Sequence, residues 1–265
     1  MTYLDAIILG LVQGLTEFIP VSSSGHLVIF NYLLGTPESF AFDVLLNVGT
    51  LSALLVFYRL RIKELIARTF VGKEWLLLAK LLAATIPAFA VGLLFGSGIK
   101  ALNNMVWVVV FMLVVVGVLM IKYGSPNKDA DDSPLESAIT WPIAMKVGLA
   151  QAIALIPGTS RSGITILAGL RSNLSAARAA EFSFMLAIPT IAGATCKVLL
   201  LDGGWSYVTA NFGVVLVGNL VSFASGLFAV GFLLRLLSTR GLKDFGWYRI
   251  GLAAVLSVLL VTGII

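Results

Sequence analysis

The residues able to do chemistry in this 265-residue chain are gathered in two short polar islands. The first runs from Gln13-Gly14-Leu15-Thr16-Glu17 into Pro20-Val21-Ser22-Ser23-Ser24-Gly25-His26. The second runs from Gln151 into Pro157-Gly158-Thr159-Ser160-Arg161-Ser162-Gly163-Ile164-Thr165. Each ends in hydroxyls and a glycine ahead of a short apolar piece, so free backbone N–H groups and the positive end of a helix dipole face the island, a setting that suits an anion. Arg161 adds a planar fork that matches phosphate oxygens in two-point contact. Glu17 and His26, the chain's single histidine, add groups that can take or give a proton. The chemistry this predicts is on a phosphate group.

Roles follow from type and position. Ser23, in the middle of its cluster, is the expected nucleophile, with His26 or Glu17 taking its proton, because a hydroxyl needs an adjacent base to attack. Water activated by Glu17, with His26 as general acid or itself forming a phospho-intermediate, competes with that route. Arg161, Ser160, Ser162 and Thr165 are expected to bind the phosphates. Gln13, Ser22 and Ser24 are expected to line the same site, and Gly25 and Gly163 to let backbone donors approach closely. Plainer readings stand beside these: Arg161 as a structural lock on Glu17, the serines as helix caps, and Gln13 with Glu17 as a hydrogen-bonded pair one helical turn apart.

The two islands are copies. Each opens on Gly-Leu-x-Gln (Gly10 to Gln13, Gly148 to Gln151), and further on Phe42 to Thr50 aligns with Phe182 to Thr190 at nearly the same offset.

The elements that must position them are membrane helices. Hydrophobic residues make up 59% of the chain and charged ones 12%, roughly half the charge of a soluble domain. Six apolar runs are long enough to cross a bilayer, at about 41–58, 75–96, 105–121, 182–201, 212–235 and 247–265. Regions 1–35 and 142–171 each hold a longer piece, an island and a piece too short to span, and read as re-entrant hairpins. The net charge of +5 sits in short loops, which excludes a nucleic-acid reading and reports topology instead. Six spans and two hairpins put the Arg59–Lys73 loop, Lys122, Lys128, Arg171, Arg178, Arg235, Arg240, Lys243 and Arg249 on the cytoplasmic side, with Lys100 opposite. One hairpin plus three spans is an odd number of crossings, so the second half is inverted. The predicted fold is all-α: a single membrane domain with repeat one at 1–122, a solvated cytoplasmic linker at 123–140 and an inverted repeat at 141–265. Lys80 and Lys146 are expected to snorkel and Cys196 to pack. Trp75, Trp141, Trp205 and Trp247 are expected as interface anchors.

The motifs at 13–26 and 157–165 closely resemble those of the bacterial undecaprenyl-diphosphate phosphatase family, called BacA or UppP, and the likeness extends over essentially the whole chain. It implies hydrolysis of undecaprenyl diphosphate to undecaprenyl phosphate and phosphate, which recycles the peptidoglycan lipid carrier and confers bacitracin resistance. It also implies a multi-pass protein of the bacterial plasma (inner) membrane with a site open to the outer, periplasmic face. The family motif is Glu or Gln, three residues, then Glu; here it is Gln13 and Glu17. A divalent cation, Mg2+ or Ca2+, is implied, with Glu17 as its protein ligand. The expected partners are the polyprenyl diphosphate and the bilayer. Oligomeric state is unreadable, a homodimer included. Architecture alone also fits an inverted-repeat transporter or flippase for a lipid phosphate or other anion; the Glu17–His26–serine grouping favours hydrolysis, since transport needs no proton-transfer pair.

Overall fold

The computed structural model describes residues 1–36, 40–103, 105–127 and 129–264. The first half comprises α1 (Tyr3–Phe18), α2 (Ser23–Leu33), α3 (Phe40–Leu45), α4 (Asn47–Phe57), α5 (Arg59–Phe70), α6 (Leu76–Leu94), α7 (Gly96–Asn103) and α8 (Val106–Tyr123). The one-turn α9 (Leu135–Ala138) is followed by α10 (Trp141–Ile153), α11 (Arg161–Leu170), α12 (Ala176–Leu201), α13 (Gly204–Ala210), α14 (Phe212–Arg240) and α15 (Lys243–Val261). Among the described residues the sheet-type pairing is one isolated bridge, Asp131 with Leu174.

Five helices, α6, α8, α12, α14 and α15, are long and apolar enough to cross a membrane. A sixth is counted if the α3/α4 segment is joined to α5, from which it bends by 70°. Their exposed faces carry large apolar side chains such as Ile86, Phe111, Leu200 and Phe228, as lipid contact requires. The islands break helices where expected: α1 with α2, and α10 with α11, are pairs of short helices. Thr2 and Asp5 close a reciprocal capping box at the start of α1. All four tryptophans expected at interfaces are exposed near helix ends.

The long packings cross between the halves. α1 lies along α14, α10 along α6, and α8 along α15. The first glycine of each Gly-Leu-x-Gln stands where backbones touch: a Cβ on Gly10 would lie 2.4 Å from the Gly218 carbonyl oxygen, and one on Gly148 2.4 Å from that of Ala84. That closeness is what the repeated glycine provides.

Several expectations are corrected. The basic stretch expected as a loop after residue 58 is mostly the helix α5, with Leu65 and Thr69 buried under its charged face. The linker is not merely solvated: Leu135, Ala138 and Ile139 are buried, and Glu136 pairs with Arg61 at 2.9 Å. Lys80 does not snorkel; it is buried and donates to the Ile139 carbonyl. Cys196 is exposed on the apolar surface of α12 rather than packed inside. Arg249 is no loop cation: it is fully buried within α15. Lys128 and the side chain of Lys100 lie outside the described residues. Four of the expected cytoplasmic cations are held in contacts with neighbouring elements. Arg61 reaches Glu181 at the start of α12, Arg178 reaches Asp132, and Lys122 and Arg171 both sit over the Tyr123 ring.

Candidate active site

α1 ends beside Pro20, and the chain re-enters helix at Ser22, whose φ of 76° is left-handed. The Ser22 hydroxyl accepts from the Gly25 N–H at 3.4 Å and so caps α2. The second island repeats the device: Ser160 has φ 68° and its hydroxyl accepts from the Gly163 N–H at 3.3 Å. Ser23 and Arg161 are therefore equivalent positions, the first residues of α2 and α11.

Both turn onto Glu17, in the last turn of α1. The Ser23 hydroxyl donates to Glu17 Oε2 at 2.9 Å, and Arg161 Nη2 donates to Oε1 at 2.9 Å. Gln13 Nε2 donates to Oε2 at 3.0 Å and to Asn47 Oδ1 at 2.9 Å, so the Gln13–Glu17 pair exists and is anchored on α4. Glu17 is thus an acceptor for a cation, a hydroxyl and an amide at once. Arg161 Nη1 is buried and makes no hydrogen bond among the described residues, which leaves a donor free for an incoming oxygen.

These groups wall a cavity of about 240 Å³. Its lining includes Glu17, Ser22, Ser23, Ser24, Ser160 and Arg161, with Asn47 from α4 and Thr190 from α12. The N-termini of α2 and α11 converge on it, and their dipoles favour negative charge there. An apolar cavity of about 190 Å³ shares Leu155, Thr190 and Ala194 with it and continues along α12 to Lys197 and Asp202. That end of α12 is opposite the arginine-rich end.

The remaining expected residues stand behind the wall. Ser162 is fully buried and donates to the Glu17 carbonyl at 3.2 Å. Thr165 donates back to the Arg161 carbonyl at 2.7 Å and contacts Ser183. Gly163 is crowded by Met120, whereas a Cβ at Gly25 would meet only ordinary contacts. Neither glycine lines the cavity. His26 is not brought to Ser23 or Glu17: Nδ1 bonds the Ser22 carbonyl at 2.8 Å and Nε2 the Tyr248 hydroxyl at 2.8 Å.

Sequence reading passed over Asn47 and Thr190 as site residues. Both stand in the Phe42–Thr50 and Phe182–Thr190 alignment, and Thr190 accepts from Gln151 at 2.9 Å as Asn47 does from Gln13. Their place in that second pair of repeated stretches was the available signal. For a metal, no three His, Cys, Asp or Glu side chains converge among the described residues, and Glu17 is the one carboxylate in the lining. Such a donor set makes no protein cage, but it suits a hard cation carried mainly by phosphate oxygens and water.

Fold and site together define a multi-pass membrane protein whose interior holds an arginine, a carboxylate and hydroxyls around a pocket fit for an anion. The chain belongs to the family of the bacitracin resistance protein BacA, whose model matches residues 6–255. It is 39% identical to an undecaprenyl-diphosphatase of Porphyromonas gingivalis, over 100% of this chain and 99% of that one. It is also 42% identical to an undecaprenyl-diphosphatase of Sorangium cellulosum, over 96% of this chain and 85% of the other, and 37% identical to one of Bdellovibrio bacteriovorus, over 99% and 98%.

Proposed function

We propose that the chain is an integral membrane hydrolase that converts undecaprenyl diphosphate to undecaprenyl phosphate and inorganic phosphate, recycling the peptidoglycan lipid carrier and conferring bacitracin resistance. The observation that carries a hydrolytic mechanism is the relay Ser23–Glu17–Arg161, with both links at 2.9 Å on the wall of one cavity. Nucleophile, base and phosphate clamp are already within hydrogen-bond reach.

In the reading this geometry supports, Arg161 and the N–H groups of α2 and α11 take the terminal phosphoryl oxygens. Ser23 Oγ attacks the terminal phosphorus and passes its proton to Glu17, and the bridging P–O bond breaks. The leaving group is a phosphate monoester anion, stable without protonation, so the step asks for no general acid and His26 is free for another role. Water then attacks the phosphoserine phosphorus and the P–Oγ bond breaks; the protonated Glu17 returns its proton to Ser23 Oγ, and the protons of the water leave with the inorganic phosphate. Arg161 and the helix dipoles stabilise the charge spread over the equatorial oxygens in both steps. The cation implied by the family resemblance would rest on diphosphate oxygens with Glu17 as its protein ligand, supplying charge neutralisation.

The crossed packings of α1 with α14 and α10 with α6 support two inverted repeats, 1–122 and 141–265, joined by the 123–140 linker. The α1/α2 and α10/α11 pairs then act as hairpins entering from opposite faces. With the arginine-rich end cytoplasmic, the cavities open toward the outer face of the bacterial plasma membrane. The prenyl chain lies along the apolar cavity.

The test is phosphate release from a polyprenyl diphosphate by the purified protein in detergent, with Ser23→Ala alongside. Wild-type release, lost in Ser23→Ala together with a trappable phosphoserine, is expected. No release by wild type at any pH or with any divalent cation would move the reading to a lipid-phosphate carrier. Retained turnover in Ser23→Ala would instead favour water as the nucleophile.

A further inference from the structure

Arg249 is the least expected side chain in the molecule: a guanidinium with no exposure, in a membrane helix, without a carboxylate partner among the described residues. Its Nη2 donates to the Gly158 carbonyl at 2.7 Å and to the Met112 carbonyl at 3.2 Å, while Nε and Nη1 make no hydrogen bond. A buried cation this poorly satisfied is costly, and an apolar side chain of similar volume would fill the space more cheaply. Packing alone does not account for it.

Its neighbour Tyr248 performs a parallel task. The Tyr248 hydroxyl meets His26 Nε2 at 2.8 Å, and the two rings stack with centroids 5.7 Å apart. His26 Nδ1 lies 2.8 Å from the Ser22 carbonyl, which can only accept. The proton is therefore assigned to Nδ1, and Nε2 accepts from the tyrosine. One residue grips the first island and the next grips the second. The two grips are joined directly, because the Gly158 N–H donates to Ser24 Oγ at 3.0 Å and Ser24 Oγ is 3.1 Å from Ser22 Oγ. Tyr248, His26, Ser22, Ser24, Gly158 and Arg249 close a ring of contacts. Gly158 itself has φ 87°, and a Cβ there would stand 2.5 Å from the Val109 carbonyl oxygen, so the turn has little freedom to compensate if Arg249 lets go.

We propose that Tyr248 and Arg249 form a two-pronged brace on α15 that fixes the register between the islands, and thereby positions Ser23 against Arg161, although neither residue lines the phosphate cavity. The brace rests on the phosphatase reading only where it is measured by turnover. Both are positioning residues, acting through His26 and through the Gly158 carbonyl.

The experiment uses the purified full-length protein and its Tyr248→Phe, His26→Ala, Tyr248→Phe/His26→Ala, Arg249→Lys and Arg249→Met variants. Tyr248→Phe is expected to lower kcat about tenfold with KM within about twofold of wild type, since the phosphate donors stay in place. The double variant should be no worse than His26→Ala alone, because the tyrosine acts through the histidine. Arg249→Met should lose about a hundredfold in kcat, the scale of a small misplacement, and Arg249→Lys should recover part of it. Native-state hydrogen exchange supplies a readout independent of turnover: amides of residues 158–163 should exchange faster in Arg249→Lys. Losses that multiply in the Tyr248/His26 double variant, a change confined to KM, wild-type kcat in a monodisperse Arg249→Met, or unchanged exchange at 158–163 would each overturn the brace. Should Arg249→Met fail to fold, the tyrosine variants and the exchange of Arg249→Lys decide. Wild type that releases no phosphate while Arg249→Lys loosens the turn would sink the phosphatase reading and leave the brace standing.

Discussion

Ser22 and Ser160 hold the same rare backbone, φ 76° with ψ 100° and φ 68° with ψ 107°. Each caps the helix it precedes, and each sets its hydroxyl beside another two residues on, Ser24 at 3.1 Å and Ser162 at 3.3 Å. Left-handed conformations cost non-glycine residues of order 1–3 kcal/mol and persist only where the surroundings over-determine them. Here the kink aims the following residue across the junction. In one copy that residue is Ser23 and in the other Arg161, and both arrive at Glu17. The duplication has kept the backbone device and changed what it presents.

Replacing the second of these serines separates strain from capping. Ser160→Gly relieves the left-handed backbone while losing the cap, whereas Ser160→Ala loses the cap and keeps the strain. Thermal unfolding in detergent should rank wild type and glycine close together and alanine about 1 kcal/mol lower. An alanine variant as stable as wild type would mean that the Ser160 hydroxyl contributes nothing to the start of α11.

Glu17→Gln removes a charge at nearly constant shape. Arg161 is then a largely buried cation without its partner, and Ser23 loses its base. Breaking one side of such a pair typically costs about 3 kcal/mol of stability, and turnover should fall by about a thousandfold as base and clamp geometry go together. Arg161→Lys keeps the charge but not the fork, and should lower kcat/KM by about a hundredfold. A Glu17→Gln enzyme with near-normal kcat would remove Glu17 from the proton path.

Much of this was legible in the residues. Pro20, Pro157 and the polar islands stop apolar helices in a way that hydropathy exposes directly, and two copies of the same motif identify each other. α5 was hidden because Arg59, Arg61, Lys63 and Arg68 depress its hydropathy, although Leu65 and Thr69 mark a buried stripe at helical spacing. Arg249 was misplaced because counting cations by their nearness to a span end cannot tell a residue facing water from one facing another helix. His26 was assigned to catalysis by its nearness to serines along the chain, but its Nε2 partner is Tyr248, 222 residues away. Pairing at that separation leaves no local pattern.

The position of His26 sets a ranking among the first-island variants. With both ring nitrogens committed to Ser22 and Tyr248, the imidazole supports the turn and does not face the phosphate cavity. His26→Ala should cost about tenfold in kcat, against roughly a thousandfold for Ser23→Ala. Equal losses, or a pH profile of kcat/KM whose limb disappears in His26→Ala, would return the histidine to the proton path.

The glycine at the start of the second motif links packing to the site. A Cβ at Gly148 would stand 2.4 Å from the Ala84 carbonyl oxygen and 2.8 Å from the Ala84 Cα, both backbone atoms that cannot swing away. Gly148→Ala must therefore push α10 from α6, an overpacking that typically costs about 1–3 kcal/mol. Because α10 carries Gln151 and leads through the Pro157 turn to Arg161, the displacement reaches the phosphate clamp, and kcat/KM should fall along with stability. Gly251→Ala on α15 is the control: nothing lies within 4 Å of its Cβ, so the helical gain of alanine over glycine should leave the protein as stable as wild type or slightly more so. Gly148→Ala with unchanged melting and turnover would show that the α10–α6 backbone contact is not held at this distance, and with it the explanation of the repeated Gly-Leu-x-Gln would fail.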